Sequence, residues 1–407
     1  MKILLATSSV NLRGGGISSY AIDFINVYKH EYEFIVVSND ILDESTSHNI
    51  KKYHRINSSD YSYQNLKKLL HIINECKPDI ILNSNYALLS LVIPFIDTKI
   101  IKISISHLVD GKLALVAGFN HLYYDAIISL SDAGATKLSK YYRSIERNKI
   151  AVVYNFYNQN TLNNPVHNSV INIVYPGGGN LNKNPILVMK ILQSLSKSNL
   201  KYVFYWLGNT VLPGSKIFGK HYIANFFEKD DRIVFTGNVA REESVKIIQG
   251  ADVFLLPSKK EGCPITLLEA MSVGTIPVVS DAKHASSEII QNGVNGYVLS
   301  NTNPNEYVEL IKEIISNPDK FSQIKSNCEK TFQESFSSEA WKSKMDRIFI
   351  KRNSQKKLEI NRFSYLLFVI NLTTRLQFAR LLTLSNSAYF FFVFQFYRIM
   401  GISSILK

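Results

Sequence analysis

Cysteine is scarce in this chain, which has three cysteines in 407 residues. Cys76, Cys263 and Cys328 are far apart and odd in number, so they form neither a disulfide framework nor the close spacing of a cysteine metal site. The pattern therefore excludes a small disulfide-stapled scaffold. We expect a reducing compartment, the cytoplasm, for a chain of this composition.

Long hydrophobic runs and acidic metal motifs are also missing. No apolar run reaches the roughly 20 residues that a membrane-spanning helix needs. The apolar start at residues 1–6 is too short for a secretory signal, and we expect it to form a first buried strand. No Asp-x-Asp motif occurs, so the sequence predicts no Mg²⁺ or Mn²⁺ site and no cofactor.

Acidic residues are few in the last part of the chain. Residues 331–407 contain 12 Lys/Arg against 4 Asp/Glu, whereas residues 1–165 contain 17 against 14 and residues 166–330 contain 17 against 15. Most of the formal net charge of +13 therefore lies in the tail. A basic tail indicates an anionic partner, either a lipid surface or nucleic acid.

Apolar strands alternate with helical patterns in two successive halves of the chain. Strands are predicted at residues 2–7, 34–37, 80–82, 100–106, 126–130 and 150–153, and then at 171–175, 202–207, 233–235, 253–256 and 276–279. Helices are predicted at about 18–28, 66–76, 186–195, 242–249, 265–273 and 307–316. Strands that alternate with helices imply parallel sheets.

An Asn-rich polar stretch at residues 155–165 separates the two halves and predicts an inter-domain linker. We therefore expect an N-terminal α/β domain at residues 1–165 and a second α/β domain at 166–335. Two such domains in series imply a cleft between them, and clefts between domains commonly bind ligands.

A glycine loop follows the first strand of each half, at residues 14–16 and 177–179. Neither loop completes the G-x-G-x-x-G dinucleotide pattern, because Ser19 and Asn182 occupy the last position. Each loop is either a tight strand-to-helix turn or a place where the backbone approaches a ligand closely, which only glycine permits.

Two glutamates, Glu261 and Glu269, bracket a loop and helix that follow an apolar strand, where open α/β sheets bind ligands. Pro264 suits the first helical position, which would leave the N–H groups of Ile265 and Thr266 free to bind a phosphate. Glu269 lies among apolar residues and needs a polar partner, such as a sugar or ribose hydroxyl. The alternative is a helix-capping Glu and a solvent-facing Glu on an ordinary amphipathic helix.

These elements occur in an order that resembles the family 4 retaining glycosyltransferases, which have the GT-B fold and an E-x7-E motif. The resemblance covers about residues 1–350 and is carried by residues 153–155, 234–237, 251–270, 274, 277–279 and 293–296. It implies an α/β chain with two Rossmann-like domains. It also implies metal-independent transfer of a sugar from a UDP- or GDP-linked donor, with retention at the anomeric carbon.

The resemblance also implies roles for single residues. Glu261 matches the first Glu of the motif, which contacts the donor sugar, and Glu269 matches the second, which holds the ribose. Lys183 matches a phosphate-binding lysine; the alternative is a solvated loop lysine. The other residues matched to donor-binding positions are Gly15, Gly16, Gly262, Cys263, Ile265 and Thr266.

His107 ends a predicted strand and resembles a residue that faces the reacting sugar of the donor. It would hydrogen-bond the sugar or assist proton transfer; the alternative is a strand-end histidine that caps the next element. The chain also departs from the family pattern. No arginine precedes Lys183 closely, although Arg232 or Lys259 would compensate. The usual Gly-Gly pair is replaced by the stretch 280–288.

Residues 336–352 resemble the helix that ends the fold of the family, which leaves 353–407 as a basic, aromatic-rich extension. Basic residues in 351–362 precede the aromatic-rich segments 363–370 and 389–397, a pattern that fits binding to an anionic membrane surface. The alternative is a helical pair that packs on the first domain. The aromatics are too dense for spaced base stacking, so no nucleic-acid partner is expected.

The resemblance as a whole implies a hexosyltransferase-type enzyme at the inner face of a bacterial membrane. Its acceptor would be a glycan or a lipid-linked molecule in the synthesis of O-antigen, capsule or exopolysaccharide. The alternatives are a non-catalytic protein that binds sugar nucleotides and another GT-B enzyme, such as a sugar epimerase. A phosphorylase would need a pyridoxal phosphate lysine, which no sequence context marks.

Overall fold

The apolar runs of the first half form a parallel sheet. Its strands are β1 (Lys2–Thr7), β2 (Glu33–Ser38), β3 (Lys52–Arg55), β4 (Ile80–Ser84), β5 (Ile101–Ser106), β6 (Ala126–Ser129) and β7 (Ile150–Val152). Among the described residues the sheet has seven strands in the order β3-β2-β1-β4-β5-β6-β7. In β1 and in β2, every residue except the first is buried. Their sequences are apolar because helices cover both faces of a parallel sheet.

The structure is a computed structural model that describes residues 1–11, 15–42, 47–107, 116–158, 170–211 and 222–350. These residues form two compact units. The first unit contains residues 1–153 and 342–350, and the second contains Tyr154–Trp341. The start of the predicted linker packs in the second unit, because Phe156 is buried there and stacks on Trp341 with ring centroids 4.0 Å apart.

Serine side chains cap two of the helices of the first unit. The helices described in this unit are α1 (Gly15–Tyr28), α2 (Tyr63–Cys76), α3 (Ala87–Val92) and α4 (Asp132–Tyr141). Ser62 accepts a hydrogen bond from the backbone N–H of Asn65 at the start of α2, and Ser131 accepts one from Gly134 at the start of α4. Such caps satisfy N–H groups that the first turn of a helix leaves unpaired.

The second unit repeats the architecture. Its strands are β8 (Ile171–Tyr175), β9 (Tyr202–Leu207), β10 (Ile233–Gly237), β11 (Val253–Leu256), β12 (Ile276–Ser280) and β13 (Tyr297–Leu299). Among the described residues the six strands are parallel and follow the order β10-β9-β8-β11-β12-β13. The order reverses between β8 and β11, as it does between β1 and β4 in the first sheet. Such a switch point opens a crevice at the carboxyl ends of the two strands.

Eight helices surround this sheet in the described part of the chain. They are α5 (Pro185–Ser196), α6 (Tyr222–Phe226), α7 (Arg241–Gln249), α8 (Ile265–Met271), α9 (Ala285–Ile289), α10 (Pro304–Ser316), α11 (Pro318–Ser335) and α12 (Ser338–Ile350). The first residues of α12 belong to the second unit and its later residues to the first. In the first unit, the Phe349 ring of α12 contacts Phe24 and Tyr28.

The predicted α/β class with two Rossmann-like halves is confirmed. The strand β3 was not predicted, because it is a short polar strand at the edge of its sheet, only partly buried, and has no apolar run to mark it. The predicted extension 353–407 lies outside the described residues. In the part of the chain that the structure describes, we find no helix with the length and apolar character needed to cross a membrane.

The stack of Phe156 on Trp341 yields a stability prediction. Replacing Phe156 by Ala removes a buried ring, and we expect the free energy of unfolding of the second unit to fall by about 3 to 5 kcal/mol. The chain has two tryptophans, Trp206 and Trp341, and both lie in this unit, so tryptophan fluorescence during urea unfolding follows it. Phe226→Ala is the control, because Phe226 is 50% exposed and its loss should cost much less. Equal losses in the two variants would contradict the prediction.

Candidate functional site

Lys183 lies beyond the carboxyl end of β8, on a 3₁₀ turn at Leu181–Lys183. The buried hydroxyl of Tyr175, the last residue of β8, is 3.2 Å from the carbonyl oxygens of both Gly178 and Lys183. Burial and the nearby Glu261 charge raise the pKa of Tyr175 well above its usual value, so the hydroxyl remains a donor. The backbone that carries Lys183 is therefore held from inside the domain.

Glu261 is the centre of the site. Its Oε1 lies 2.6 Å from Nζ of Lys183 and accepts a hydrogen bond of 2.6 Å from the Ser258 hydroxyl. The backbone N–H of Lys259 donates to the Asn182 carbonyl at 2.7 Å, which joins the two loops. Among the described residues, Oε2 of Glu261 has no hydrogen-bond partner. The arrangement thus holds one carboxylate oxygen and leaves the other available to a ligand.

Gly262 and Cys263 follow Glu261 and are both buried. The backbone N–H of Asn155 donates to the Cys263 sulfur at 3.3 Å, and the Asn155 side-chain amide donates to the Cys263 carbonyl. Burial raises the pKa of the Cys263 thiol to about 12, so it is a neutral thiol. Asn155 therefore anchors this peptide, and the Cys263 side chain and carbonyl face the protein.

Pro264 lies one position earlier than predicted. It is the N-cap of α8, with φ −72° and ψ 119°, and not the first helical residue. Its ψ is extended and not helical, while its carbonyl accepts a bond from the Leu267 N–H at 3.2 Å, and the two together define an N-cap. Ile265 and Thr266 still occupy the first turn, which leaves their N–H groups without an intrahelical partner.

Glu269 lies inside α8 and is 3% exposed. Its Oε1 is 3.5 Å from Nη2 of Arg241, the first residue of α7. A buried carboxylate requires such a partner to offset its desolvation. Arg241 was not predicted from the sequence, although it follows β10 and so obeys the strand-end rule that identified Glu261.

Arg232 does not compensate for the missing arginine near Lys183. It precedes β10, at the opposite end of the strand from Arg241. Its guanidinium is paired with Asp230 at 2.8 Å and donates to the carbonyls of Ser196 and Ser198. It also lies 4.7 Å from the centre of the Tyr202 ring. These contacts make Arg232 a structural residue of the amino edge of the sheet.

The stretch 280–288 supports the Glu261 loop. Ser280, the last residue of β12, donates its hydroxyl to the Ser258 carbonyl. Nε2 of His284 lies 3.1 Å from the same carbonyl. Burial lowers the pKa of His284, so its imidazole is neutral. Side chains thus hold this loop where the resembling family has glycine backbone, and no sequence pattern had predicted these contacts.

The two glycine loops differ in what surrounds them. A Cβ at Gly177 would clash with the Tyr175 ring, and one at Gly179 would clash with the Val211 carbonyl. At Gly15, where φ is +74°, and at Gly16, a Cβ would meet no described atom within 4 Å. The second loop therefore needs glycine for internal packing, as a tight turn does, whereas the described residues leave space beside Gly15 and Gly16 in the first.

His107 follows β5 in the first unit and is buried. Its Nε2 lies 2.7 Å from the hydroxyl of Ser84, at the end of the neighbouring β4, and the Tyr20 ring packs against it edge-on. Burial lowers the pKa of His107 to about 3. The imidazole is therefore neutral at physiological pH, where it can form hydrogen bonds but carries no positive charge.

Two ion pairs of the second unit lie beyond the carboxyl ends of its strands. Lys183 pairs with Glu261, and Arg241 pairs with Glu269. Within the described ranges, no group of three or more His, Cys, Asp or Glu side chains is arranged to hold a metal ion. The arrangement can bind an anion through Lys183 and donors such as hydroxyl groups through the two carboxylates.

The chain is similar to known proteins in sequence and in fold. Residues 165–331 match the family model of group 1 glycosyl transferases. The chain is 35% identical over 116 residues to a glycogen synthase of Finegoldia magna, which covers 26% of this chain and 24% of that protein. It is 30% identical over 142 residues to the N,N'-diacetylbacillosaminyl-diphospho-undecaprenol alpha-1,3-N-acetylgalactosaminyltransferase of Campylobacter jejuni, covering 33% and 37% of the two chains. The chain thus matches well under half the length of these relatives.

Solved structures match over a longer span. Anabaena Alr3699/HepE in complex with UDP-glucose is similar with a TM-score of 0.69 at 17% identity, covering 85% of this chain and 98% of that one. The lipopolysaccharide outer core galactosyltransferase WaaB is similar with a TM-score of 0.64 at 18% identity, covering 86% and 99%. The chain therefore has the GT-B fold, and its residues 165–331 are similar to the group 1 glycosyltransferases.

Proposed function

We propose that this protein is a retaining, metal-independent glycosyltransferase that uses a UDP- or GDP-linked sugar. The observation that carries the proposal is the Glu261 carboxylate at the switch point between β8 and β11. Lys183 and Ser258 hold its Oε1, while Oε2 has no partner in the described chain. A carboxylate oriented in this way accepts hydrogen bonds from sugar hydroxyls. The similarity of residues 165–331 to group 1 glycosyltransferases supports the assignment.

The remaining donor contacts follow from the same geometry. The Lys183 ammonium has three N–H groups, so it can bind Glu261 and a phosphate oxygen together. Glu269 accepts hydrogen bonds from the ribose hydroxyls, and Arg241 keeps its charge balanced. The N–H groups of Ile265 and Thr266 add donors for the diphosphate. Positive groups placed where charge develops on the leaving diphosphate would take the role that a metal ion has elsewhere.

His107 and the first glycine loop contribute from the first unit. We assign His107 the role of a neutral hydrogen-bonding partner of the donor sugar, since burial lowers its pKa and keeps it uncharged. Among the described atoms, none would lie within 4 Å of a Cβ at Gly15 or Gly16, and we assign this space to the diphosphate or the acceptor.

The acceptor is proposed to be a glycan or a lipid-linked molecule in surface polysaccharide synthesis. The names of two similar proteins support this class, one acting on a diphospho-undecaprenol and the other on the lipopolysaccharide outer core. A lipid-linked acceptor would place the enzyme at the inner face of the cell membrane. The basic tail at 351–407 would then bind the anionic lipid surface.

Replacing Glu261 tests the proposed activity. We expect Glu261→Gln and Glu261→Ala to lower sugar transfer or donor hydrolysis by about 100-fold to 1,000-fold, because each removes a charged contact to the reacting sugar. Turnover is measured with UDP-glucose, UDP-N-acetylglucosamine and GDP-mannose, with and without EDTA, and the anomeric configuration of the product is read by NMR. We expect retention and no effect of EDTA.

Glu243→Gln is the matched control, because Glu243 is an exposed residue in the first turn of α7. It should keep the wild-type rate. Binding of a sugar nucleotide without turnover would favour a non-catalytic protein. An epimerised sugar or an inverted product would contradict the proposed reaction.

His107 is predicted to act without titrating. Because burial lowers its pKa to about 3, the imidazole is neutral throughout pH 5.5–8.5. His107→Gln should therefore lower kcat/KM by the same factor at every pH in that range. Profiles of kcat/KM against pH are measured for the two proteins. If the profile of the wild type showed a change of kcat/KM with pH that the variant lacked, His107 would be shown to transfer a proton.

The same lowered pKa makes His107 a source of acid sensitivity. An unfolded histidine titrates near 6.5, so below that pH the unfolded chain takes up a proton that the folded site excludes. The contribution of His107 to stability is complete above pH 6.5 and is lost as the pH falls towards 3. In His107→Gln the free energy of unfolding should therefore decrease less than in the wild type as the pH is lowered from 6.5 towards 3. His121, whose pKa burial lowers to about 4, remains and titrates there too.

Truncation tests the membrane contact. We expect the full chain to co-sediment with phosphatidylglycerol-containing liposomes, less so at high salt, and a chain ending at about residue 355 to lose most of this binding. Pure phosphatidylcholine liposomes are the control for charge. Unchanged binding after truncation would show that the tail is not the membrane contact.

A further inference from the structure

Ser258 is held by both its side chain and its main chain. Its hydroxyl donates to Oε1 of Glu261 at 2.6 Å. Its carbonyl receives the Ser280 hydroxyl and Nε2 of His284, the latter at 3.1 Å. All three residues that form this anchor, Ser258, Ser280 and His284, are at least 99% buried.

The acceptor determines the tautomer of His284. A carbonyl oxygen only accepts hydrogen bonds, so Nε2 of His284 must carry the proton. Burial lowers the pKa of the ring and keeps it neutral, which leaves Nε2–H as its one N–H donor. The neutral ring therefore donates this N–H to the Ser258 carbonyl.

The sheet register brings these groups together. β11 pairs with β12 so that Leu256 lies opposite Val279, which places Ser258, just beyond β11, and Ser280, the last residue of β12, at the same edge of the sheet. Two residues, Lys259 and Lys260, separate Ser258 from Glu261. A rotation of the Ser258 peptide would move the hydroxyl that holds Glu261.

Lys183 acts on the same oxygen from the other side. Its ammonium is 2.6 Å from Oε1 of Glu261 and attracts the carboxylate towards the β8 loop. Ser258 supplies a second, fixed donor to that oxygen. With both donors on Oε1, the carboxylate plane is defined and Oε2 keeps its direction.

We infer that His284 is a positioning residue, which anchors the Ser258 carbonyl and thereby orients the Glu261 carboxylate towards the donor sugar. The inference rests on the proposed function and deepens it. His284 lies in the stretch 280–288, where the chain departs from the glycine pair of the resembling family. The hydrogen bond from the His284 side chain fixes the Ser258 loop from the end of the neighbouring strand, which a flexible glycine backbone would not do.

Two substitutions at His284 separate the hydrogen bond from the space that the ring fills. His284→Phe keeps a ring but removes the N–H, whereas His284→Gln can place an amide N–H near the position of Nε2. Calorimetry measures binding of UDP and UDP-glucose, and of GDP and GDP-mannose, and the pair that the wild type binds is used. We expect His284→Phe to weaken the sugar nucleotide by about threefold to tenfold, the effect of one lost hydrogen bond.

The free nucleotide provides the discriminating readout. UDP or GDP lacks the sugar that Glu261 contacts, so its affinity should change less than about twofold in His284→Phe, below the effect of one hydrogen bond. His284→Gln should restore most of the sugar-nucleotide affinity. Ser258→Ala keeps the backbone carbonyl but removes the hydroxyl, so it should also weaken the sugar nucleotide more than the free nucleotide. If His284→Phe does not fold, Ser258→Ala alone tests the inference.

The contrary outcomes are distinct. Wild-type affinity of both His284→Phe and Ser258→Ala for the sugar nucleotide would overturn the inference and leave the proposed function standing. Equal weakening of nucleotide and sugar nucleotide would also overturn it, since that would show a general effect on folding. If the wild type binds none of the four nucleotides, the proposed function fails and the inference with it.

Discussion

The reversal of strand order at β8 is the constraint on which the rest of the second unit depends. Because β9 lies on one side of β8 and β11 on the other, the loops that follow β8 and β11 leave towards different helices and open a crevice. Lys183 and Glu261 meet across it although they are distant in sequence. The pairing of Val253 with Ile173 sets their relative height. A slip of one residue would turn the side chains of β11 to the opposite face and remove the match.

The charges in this crevice are balanced rather than uniformly positive. Glu261 and Glu269 are largely buried, and an unpaired buried carboxylate is costly, so each has a cation beside it. Under the proposed function, a nucleotide diphosphate would therefore share Lys183 with Glu261. An ammonium group tolerates this because it has three donors, and its charge is mobile at the end of a flexible stem. The proposed diphosphate would be stabilised most where Lys183 and the first-turn N–H groups of α8 act together.

The fold was predictable from sequence because buried parallel strands have apolar runs. Glu261 and Glu269 were singled out by their place after an apolar strand, and Lys183 by the family resemblance. Arg241 obeys the same rule, but it is far in sequence from Lys183, where an arginine was expected, so its role emerges only from the contact with Glu269. The contacts of Ser258 with His284 had no sequence signal, since they depend on the adjacency of β11 and β12. The shift of Pro264 by one position reflects the usual uncertainty of a helix end, which depends on a single carbonyl contact.

The two triple-glycine loops show why a motif alone cannot assign a role. They follow equivalent strands, yet Gly177 and Gly179 are required by the Tyr175 ring and the Val211 carbonyl, whereas Gly15 has a positive φ and open surroundings among the described atoms. In the second unit Gly177 and Gly179 therefore serve packing. Tyr175 also holds the carbonyl of Lys183, and under the proposed function this contact would help a long, flexible lysine to bind a phosphate, because a fixed backbone limits the positions that its ammonium can reach.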